Sequence, residues 1–313
     1  MITYHQLRTF LVIVRTGSLT KAARELNATQ PTVSLQLHAL QKFLQTPLLD
    51  RSGNGFRLTP AGEKLCRYAE EVVGGLRTLQ EDIGALAGSV AGQLAVGVTF
   101  LVNRYVLPPS LFRFREQFPE VNVQLHVEFP EPLFRGLFAN TLDVACYLNV
   151  RTPAGLTIEP VGFEELLIVA SPAHPLARRR HVSPQELSEH PFVAPVQTPL
   201  REMIDTKLRK IGVTPRIAAE AMHHDAVKKV VERNVGYAAL IRTSVAEELT
   251  SRRLVALHLD APPILSEIVV AYRSRSGVSP LVQEFTRFVR ADLARDRLGA
   301  TSHPRRRQRR QGA

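Results

Sequence analysis

The first sixty residues place their apolar positions in short helical runs. Leu7, Phe10, Leu11 and Val14 recur at intervals of 3, 1 and 3, which predicts an amphipathic helix over residues 4–16. Residues 16–40, TGSLTKAARELNATQPTVSLQLHAL, predict two further helices joined by a tight turn. Ser18 is a candidate N-cap ahead of Ala22, Ala23 and Leu26, and Thr29 or Gln30 opens the next helix with Pro31 in its first turn. Asn27-Ala28 tolerates the reversal, the small Ala22 and Ala23 allow a close crossing, and Val33, Leu37 and Leu40 form an inward stripe. This spacing is that of a helix-turn-helix, with an ordinary helical hairpin as the competing reading. Gln30, Thr32, Ser34, Leu35, Gln36 and His38 are left facing outward, mostly side chains that can hydrogen-bond base edges in a major groove.

Phe43, Leu44, Leu48 and Leu49 continue the apolar packing around Pro47. Residues 50–58, DRSGNGFRL, then predict a short β-ribbon with Gly53-Asn54-Gly55 at its tip and Arg51 and Arg57 on its two arms. Beside a helix-turn-helix such a wing reaches phosphates or the minor groove; taken alone it is a solvated loop. From Gly62 to Ala87, Leu65, Ala69, Val72, Leu76, Leu79, Ile83 and Leu86 step by 4, 3, 4, 3, 4, 3. A sustained 3.5-residue period predicts a coiled-coil seam with a second copy, whereas a core helix shows a broader stripe at 3.6. Gly74-Gly75 weakens the helix midway and predicts a kink there. A dimer seam next to a DNA reader predicts a two-fold reader and an inverted-repeat site.

Past Gly84, Gly88 and Gly92 strands alternate with helices. Strands are expected at 93–98, 121–127 and 142–148 with helices at 111–118 and 133–140 between them, an order that implies a mainly parallel sheet. A second series follows, with strands at 166–170, 192–195, 216–221 and 237–240 and helices at 200–211, 225–234 and 244–249; a strand at 268–272 and a helix at 281–293 close the fold. Extended segments near 159–162 and 262–266 join two lobes with a cleft between them. In open parallel sheets, ligands bind beyond the carboxyl ends of strands, where helix N-termini point. Two such ends carry suitable groups: Thr99-Phe100 after the first strand, and Gln197-Thr198-Pro199-Leu200-Arg201 in the second lobe. Their hydroxyls, amide and arginine suit a small anion or carboxylate; N-capping by Thr198 with Arg201 on a solvated face explains the same residues.

Composition narrows the class. The chain of 313 residues, 44% hydrophobic, exceeds one usual core and implies two or three domains. No run approaches about 18 apolar residues, and the N-terminus lacks the order of a signal peptide, so a cytoplasmic protein with no membrane partner is expected. Cys66 and Cys146, far apart and without a CxxC partner, are expected as reduced thiols. Net charge is +11, and residues 1–60 carry seven lysines and arginines against two acids. The tail PRRRQRRQGA adds five arginines, which leaves the body nearly neutral. A basic head on a neutral body argues that one domain meets a polyanion and the other does something else. No GxSxG, GxGxxG, P-loop or HExxH pattern is present, so no catalytic residue, cofactor or metal is called for, and an α/β enzyme would rest on fold alone. His223-His224-Asp225 suggests metal ligands at first sight, but adjacent histidines at a helix start diverge, and both are read as surface or capping residues. A ligand-independent DNA-binding protein leaves about 200 residues of α/β domain unexplained.

Taken together, the chain resembles the LysR-type transcriptional regulators from Tyr4 to about Leu298, most specifically at GSLTKAARELNATQPTVSLQLHALQKFLQTPLLDRSGNGFRLTPAGE, residues 17–63. The resemblance implies an α/β protein with a winged helix-turn-helix over residues 1–60, a linker and dimerisation helix with hinge over 61–91, and a two-lobed effector domain over 92–298. That domain is shaped like a periplasmic binding protein, with lobe I at 92–161 and 267–298 and lobe II at 162–266; beyond the resemblance, the arginine-rich composition of residues 299–313 predicts a basic, disordered tail. It implies a sequence-specific regulator of promoter DNA that engages RNA polymerase, forms a homodimer through the linker helix and a homotetramer from two dimers, and responds to a small molecule in the cleft. Gln30, Thr32, Ser34 and Gln36 match the recognition positions, with Arg51 and Arg57 in the wing, and Thr99, Phe100, Gln197, Thr198 and Arg201 match effector-cleft positions. Three departures stand out. Leu35 occupies a position where many members have arginine, QTPLR lacks the glycine of the frequent GSGTR-like run, and Asn234-Val235-Gly236 replaces a glycine-richer turn. Neither cysteine lies in the second lobe, where the peroxide-sensing branch carries its pair, so redox sensing by that route is not expected.

Overall fold

The computed structural model describes residues 1–52, 55–86, 91–273 and 278–300. The chain divides into two compact units, Met1–Ala91 with Phe138–Thr141, and Gly92–Leu137 with the chain from Leu142 onward.

In the first unit every helix start carries its own cap. Thr3 and Gln6 form a reciprocal capping box on α1 (Tyr4–Thr16), and Gly17, at φ 63°, closes it in the left-handed region. Ser18 caps α2 (Leu19–Glu25), Asn27 turns the chain at φ 50°, and Thr29 caps α3 (Gln30–Leu44) with Pro31 in its first turn. Phe10, Ile13, Ala22, Val33, Leu40 and Leu48 meet in a core from which solvent is excluded. The antiparallel ribbon of β1 (Leu49–Ser52) and β2 (Gly55–Leu58) follows, pairing Asp50 with Arg57 and Leu49 with Leu58. Leu49, Phe56 and Leu58 pack on the core, while Arg57 is exposed. The chain then enters α4 (Pro60–Leu86) through a tight junction: Thr59 Oγ1 donates to Pro47 O at 2.8 Å and accepts from Gly62 N at 3.0 Å. A Cβ on Gly62 would lie 2.1 Å from Leu48 O, so only glycine fits.

The expected kink at Gly74-Gly75 does not break α4, which continues through both glycines as one helix. Its seam splits by burial. Leu65 packs on the core and Ala69 is buried, but Val72, Leu76, Leu79 and Ile83 are 43–58% exposed.

The second unit is built on a mixed sheet. Strand β3 (Gly92–Val98) pairs in parallel with β4 (Val121–Val127) and with β5 (Val144–Leu148). The crossovers are α5 (Leu107–Gln117), reached through a π-helical turn at Val102–Val106, and α6 (Pro130–Phe138). The long β6 (Thr157–Ala170) leads into the second lobe, where α7 (Pro184–Glu189), β7 (Pro191–Pro195), α8 (Pro199–Lys210), β8 (Arg216–Ala221), α9 (His224–Glu232), β9 (Ala238–Ile241), α10 (Ala246–Thr250) and β10 (Val255–Ala256) follow. Strand β11 (Ile264–Tyr272) returns to the first lobe and α11 (Pro280–Ala300) ends the fold.

The strands of the first βαβ series are parallel as their order implied, but the sheet as a whole is mixed. Strand β11 pairs antiparallel with both β5 and β6, and β6 pairs antiparallel with β9 and β10. The returning chain runs against β5 because it comes back from the far lobe rather than through a helical crossover. The segments expected as extended linkers are therefore parts of β6 and β11, hydrogen-bonded to each other from Thr157/Tyr272 to Leu166/Ile264.

Candidate functional site

The first unit presents α3 and the ribbon. Gln30 and Thr32 are exposed in the first turn of α3, and Thr32 Oγ1 lies 2.8 Å from Thr29 Oγ1. Ser34 is half-buried, as is Gln36, whose Oε1 accepts from Thr9 Oγ1 on α1. Gln36 thus ties α3 to α1, with its amide N–H groups and one acceptor site of Oε1 left for an outside partner. Leu35, 70% exposed, stands at the centre of the helix's open face with His38. The side chain of Arg51, together with Gly53, Asn54 and the arginines of the tail from Arg305 onward, lies outside the described residues.

In the second unit, a cavity of about 230 Å³ is lined at four places by the starts of helices. Thr99-Phe100 opens the helical stretch that becomes the π-turn, Glu128-Phe129-Pro130 opens α6, Thr198-Pro199 opens α8, and His223-His224 opens α9. Each follows the carboxyl end of a strand, so each brings the positive end of a helix dipole to this lining. Leu101, Val127, Leu148, Val150, Pro195, Leu200 and Met222 supply apolar walls, and among the described residues the lining includes no lysine or arginine. Phe100 and His223 sit with ring centroids 5.6 Å apart.

Of the residues singled out in sequence, Thr99, Phe100 and Thr198 come together on this wall, and Gln197 is exposed off it. Thr198 caps α8 by accepting from Arg201 N at 3.4 Å, which leaves its O–H free to donate. Arg201 is neither on the wall nor on a solvated face. It is 5% exposed, its Nε 2.7 Å from Asp205 Oδ1 and its Nη1 2.9 Å from Pro195 O and 3.1 Å from Glu220 Oε1. Two carboxylates and a carbonyl occupy the guanidinium, so it braces α8 against β7 and β8. Asn234 (φ 62°) and Gly236 belong to the turn before β9 and are not on the lining; Gly236 is required because a Cβ there would lie 2.2 Å from Pro191 O.

His224 is also buried, at 4% exposure, where a surface or capping role was expected. Burial first, and then the Lys228 charge, pull its pKa down to about 4, with Asp225 opposing, so the ring is neutral near pH 7. Its Nε2 has no hydrogen-bond partner among the described residues. Glu128, Phe129 and Met222 were not singled out in sequence, although the strand-end rule that selects Thr99 and Gln197 applies equally after β4 and β8.

Beside the cavity, the π-turn of the first lobe meets α9 of the second. Tyr105 donates to Asp225 Oδ1 at 2.7 Å and Arg104 lies 3.3 Å from Asp225 Oδ2. Lys228 Nζ lies 3.0 Å from Asp225 Oδ1, 3.1 Å from Glu248 Oε1 and 3.0 Å from Ser244 O. Burial works against the Lys228 ammonium, but hydrogen bonds to Asp225 and Glu248 outweigh it and hold its pKa above the ordinary value.

Both cysteines are free, and burial is the main cause that pushes each thiol up to about 12, where it stays protonated and a poor nucleophile. Among the described residues no cluster of His, Cys, Asp and Glu is placed to hold a metal ion, and no helix is long and apolar enough to cross a membrane.

Comparison with known proteins agrees with both halves of the chain. Residues 4–63 match the family model described as bacterial regulatory helix-turn-helix protein, lysR family, and residues 87–294 match the LysR substrate binding domain. The RuBisCO operon transcriptional regulator of Allochromatium vinosum is 30% identical over 94% of this chain and 97% of its own. The HTH-type transcriptional regulator CysL of Bacillus subtilis is 30% identical over 82% and 86%. In fold, the chain is similar to a cysteine-to-aspartate variant of full-length OxyR from Pseudomonas aeruginosa, with a TM-score of 0.76 at 18% identity over 94% of this chain and 95% of that one.

Proposed function

The chain belongs to the LysR family of DNA-binding bacterial transcriptional regulators, and from that premise we propose that an anionic small molecule, bound in the cavity between the lobes, sets its activity at a promoter. The observation that carries this reading is the convergence of four helix starts on one cavity without a described lysine or arginine in its lining. Four partial positive ends favour an anion, and the apolar walls with the rim carboxylate of Glu128 favour one that carries a single charge on an apolar body.

For the DNA half, Gln30, Thr32, Ser34 and Gln36 on α3 and Arg51 and Arg57 in the ribbon are the proposed contacts. The exposed stripe Val72, Leu76, Leu79 and Ile83 supports a homodimer through α4, which presents two readers to an inverted repeat; a tetramer follows from pairing two dimers. The domain division is proposed at 1–60, 61–91 and 92–298, with a basic tail beyond. RNA polymerase is the proposed second macromolecular partner, in the cytoplasm. The Allochromatium vinosum relative supports a target operon of carbon fixation.

Footprinting of promoter fragments tests the first half: a protected inverted repeat is expected, with protection lost in the Gln30→Ala/Arg57→Ala double variant. Thr99→Val tests the second, since it removes a hydroxyl from the cavity and should abolish the effector response while leaving DNA affinity unchanged. A response intact in Thr99→Val places the effector elsewhere.

A further inference from the structure

A second cavity, of about 460 Å³, adjoins the first and shares Val150 and Pro199 with it. Its chemistry is different. Arg151 enters from the loop after β5, and Lys207 and Lys210 project one turn apart from the end of α8. Two basic residues in the last turn of a helix are ordinarily explained by the negative end of the helix dipole. That explanation does not reach Arg151, which belongs to another segment and faces the same space.

Two acids line the same space and offset only part of the charge of the three cations. Glu267 is engaged as acceptor from Asn149 Nδ2 at 2.7 Å, and Glu202 is exposed at the edge. Lys207 Nζ donates to Leu265 O at 2.5 Å, which leaves two N–H groups for another acceptor. Burial, and then repulsion from Lys210, hold the Lys207 pKa below its ordinary value, with Glu267 opposing. Thr206 adds a hydroxyl on the same wall.

We propose that this second cavity is a binding site for a phosphate-bearing metabolite, held by Arg151, Lys207 and Lys210. The first cavity has no cationic side chain among its described residues and suits a single charge; the second offers three cations from two segments, the arrangement that recognises a doubly charged phosphate ester. Because the two share a wall, an occupant of one changes the surroundings of the other. The assignment stands on the second cavity alone and does not depend on the effector reading of the first.

Calorimetric titration of the full chain with glycerol 3-phosphate, in phosphate-free buffer at fixed ionic strength, tests it. Saturable binding is expected, weakened about tenfold or more in Lys207→Met and in Arg151→Gln, since each removes a charge-assisted contact. Arg151 and Lys210 are exposed, so Arg151→Gln and Lys210→Gln probe the site without disturbing the fold. Thr99→Val should bind the ester as the unaltered chain does. Absence of binding, binding indifferent to all three substitutions, or binding lost only in Thr99→Val would each overturn the assignment, the last by moving the ester to the first cavity.

Discussion

Replacing Lys228 by methionine removes the cation from a buried group. Its ammonium lies 3.1 Å from Glu248, and the two side chains are 8% and 7% exposed. Removing one partner of such a pair leaves an uncompensated charge and costs about 3–5 kcal/mol. The low end applies here, because Arg253 lies 3.7 Å from the same Glu248 oxygen and survives the change, while Asp225 keeps Tyr105 and Arg104. A loss of about 3 kcal/mol lowers the melting temperature of a unit this size by about 6–12 °C. The double variant Lys228→Met/Glu248→Leu carries no stranded charge and should return to within about 1 kcal/mol of the unaltered protein. Urea unfolding followed by tyrosine fluorescence suits the measurement, since Tyr105, Tyr147, Tyr237 and Tyr272 all lie in the second unit. A single-variant loss below about 1 kcal/mol, or a double variant no more stable than Lys228→Met, would refute the reasoning.

Two further outcomes follow from packing and protonation. Gly62→Ala should destabilise the first unit by about 1–3 kcal/mol in a thermal melt, because the methyl meets Leu48 O; Gly75→Ala, where a Cβ meets nothing within 4 Å, should instead stabilise it by about 0.5–1 kcal/mol, and a reversed order of the two would contradict the geometry. His224 takes up a proton near pH 6.5 when unfolded but only near pH 4 when folded, so stability is full above about pH 6.5 and is lost as pH falls towards 4, by about 3 kcal/mol. His224→Leu should flatten the urea midpoint across that window, and an unchanged slope would show that other groups carry it.

The local devices of the first unit were legible in sequence because they act within a few residues. Ser18, Thr29 and Pro31 mark helix starts by satisfying or lacking the very N–H groups that a first turn leaves free. Long-range decisions were not legible. Whether β11 runs with or against β5 depends on residues more than a hundred positions apart, and the βαβ rhythm says nothing of a strand returning from the other lobe. Arg201 shows the same limit within the site. Its position at a strand end suits an anion, yet its engagement is decided by Glu220, nineteen residues on, which β8 brings alongside. For Gln36, the hydroxyl of Thr9, on a helix two elements earlier, takes up one acceptor site of an amide that spacing alone left free.

The paired strands β6 and β11 are the places where the chain passes between the lobes, and their ladder shifts register between Ile268 and Val269, opposite Gly162 and Pro160. Proline has no N–H to give, and a bulge locally loosens and twists a ribbon. The lobes are thus joined by a two-stranded ribbon whose ladder is interrupted at this point. The orientation of one lobe on the other is therefore set in part by the twist at that interruption.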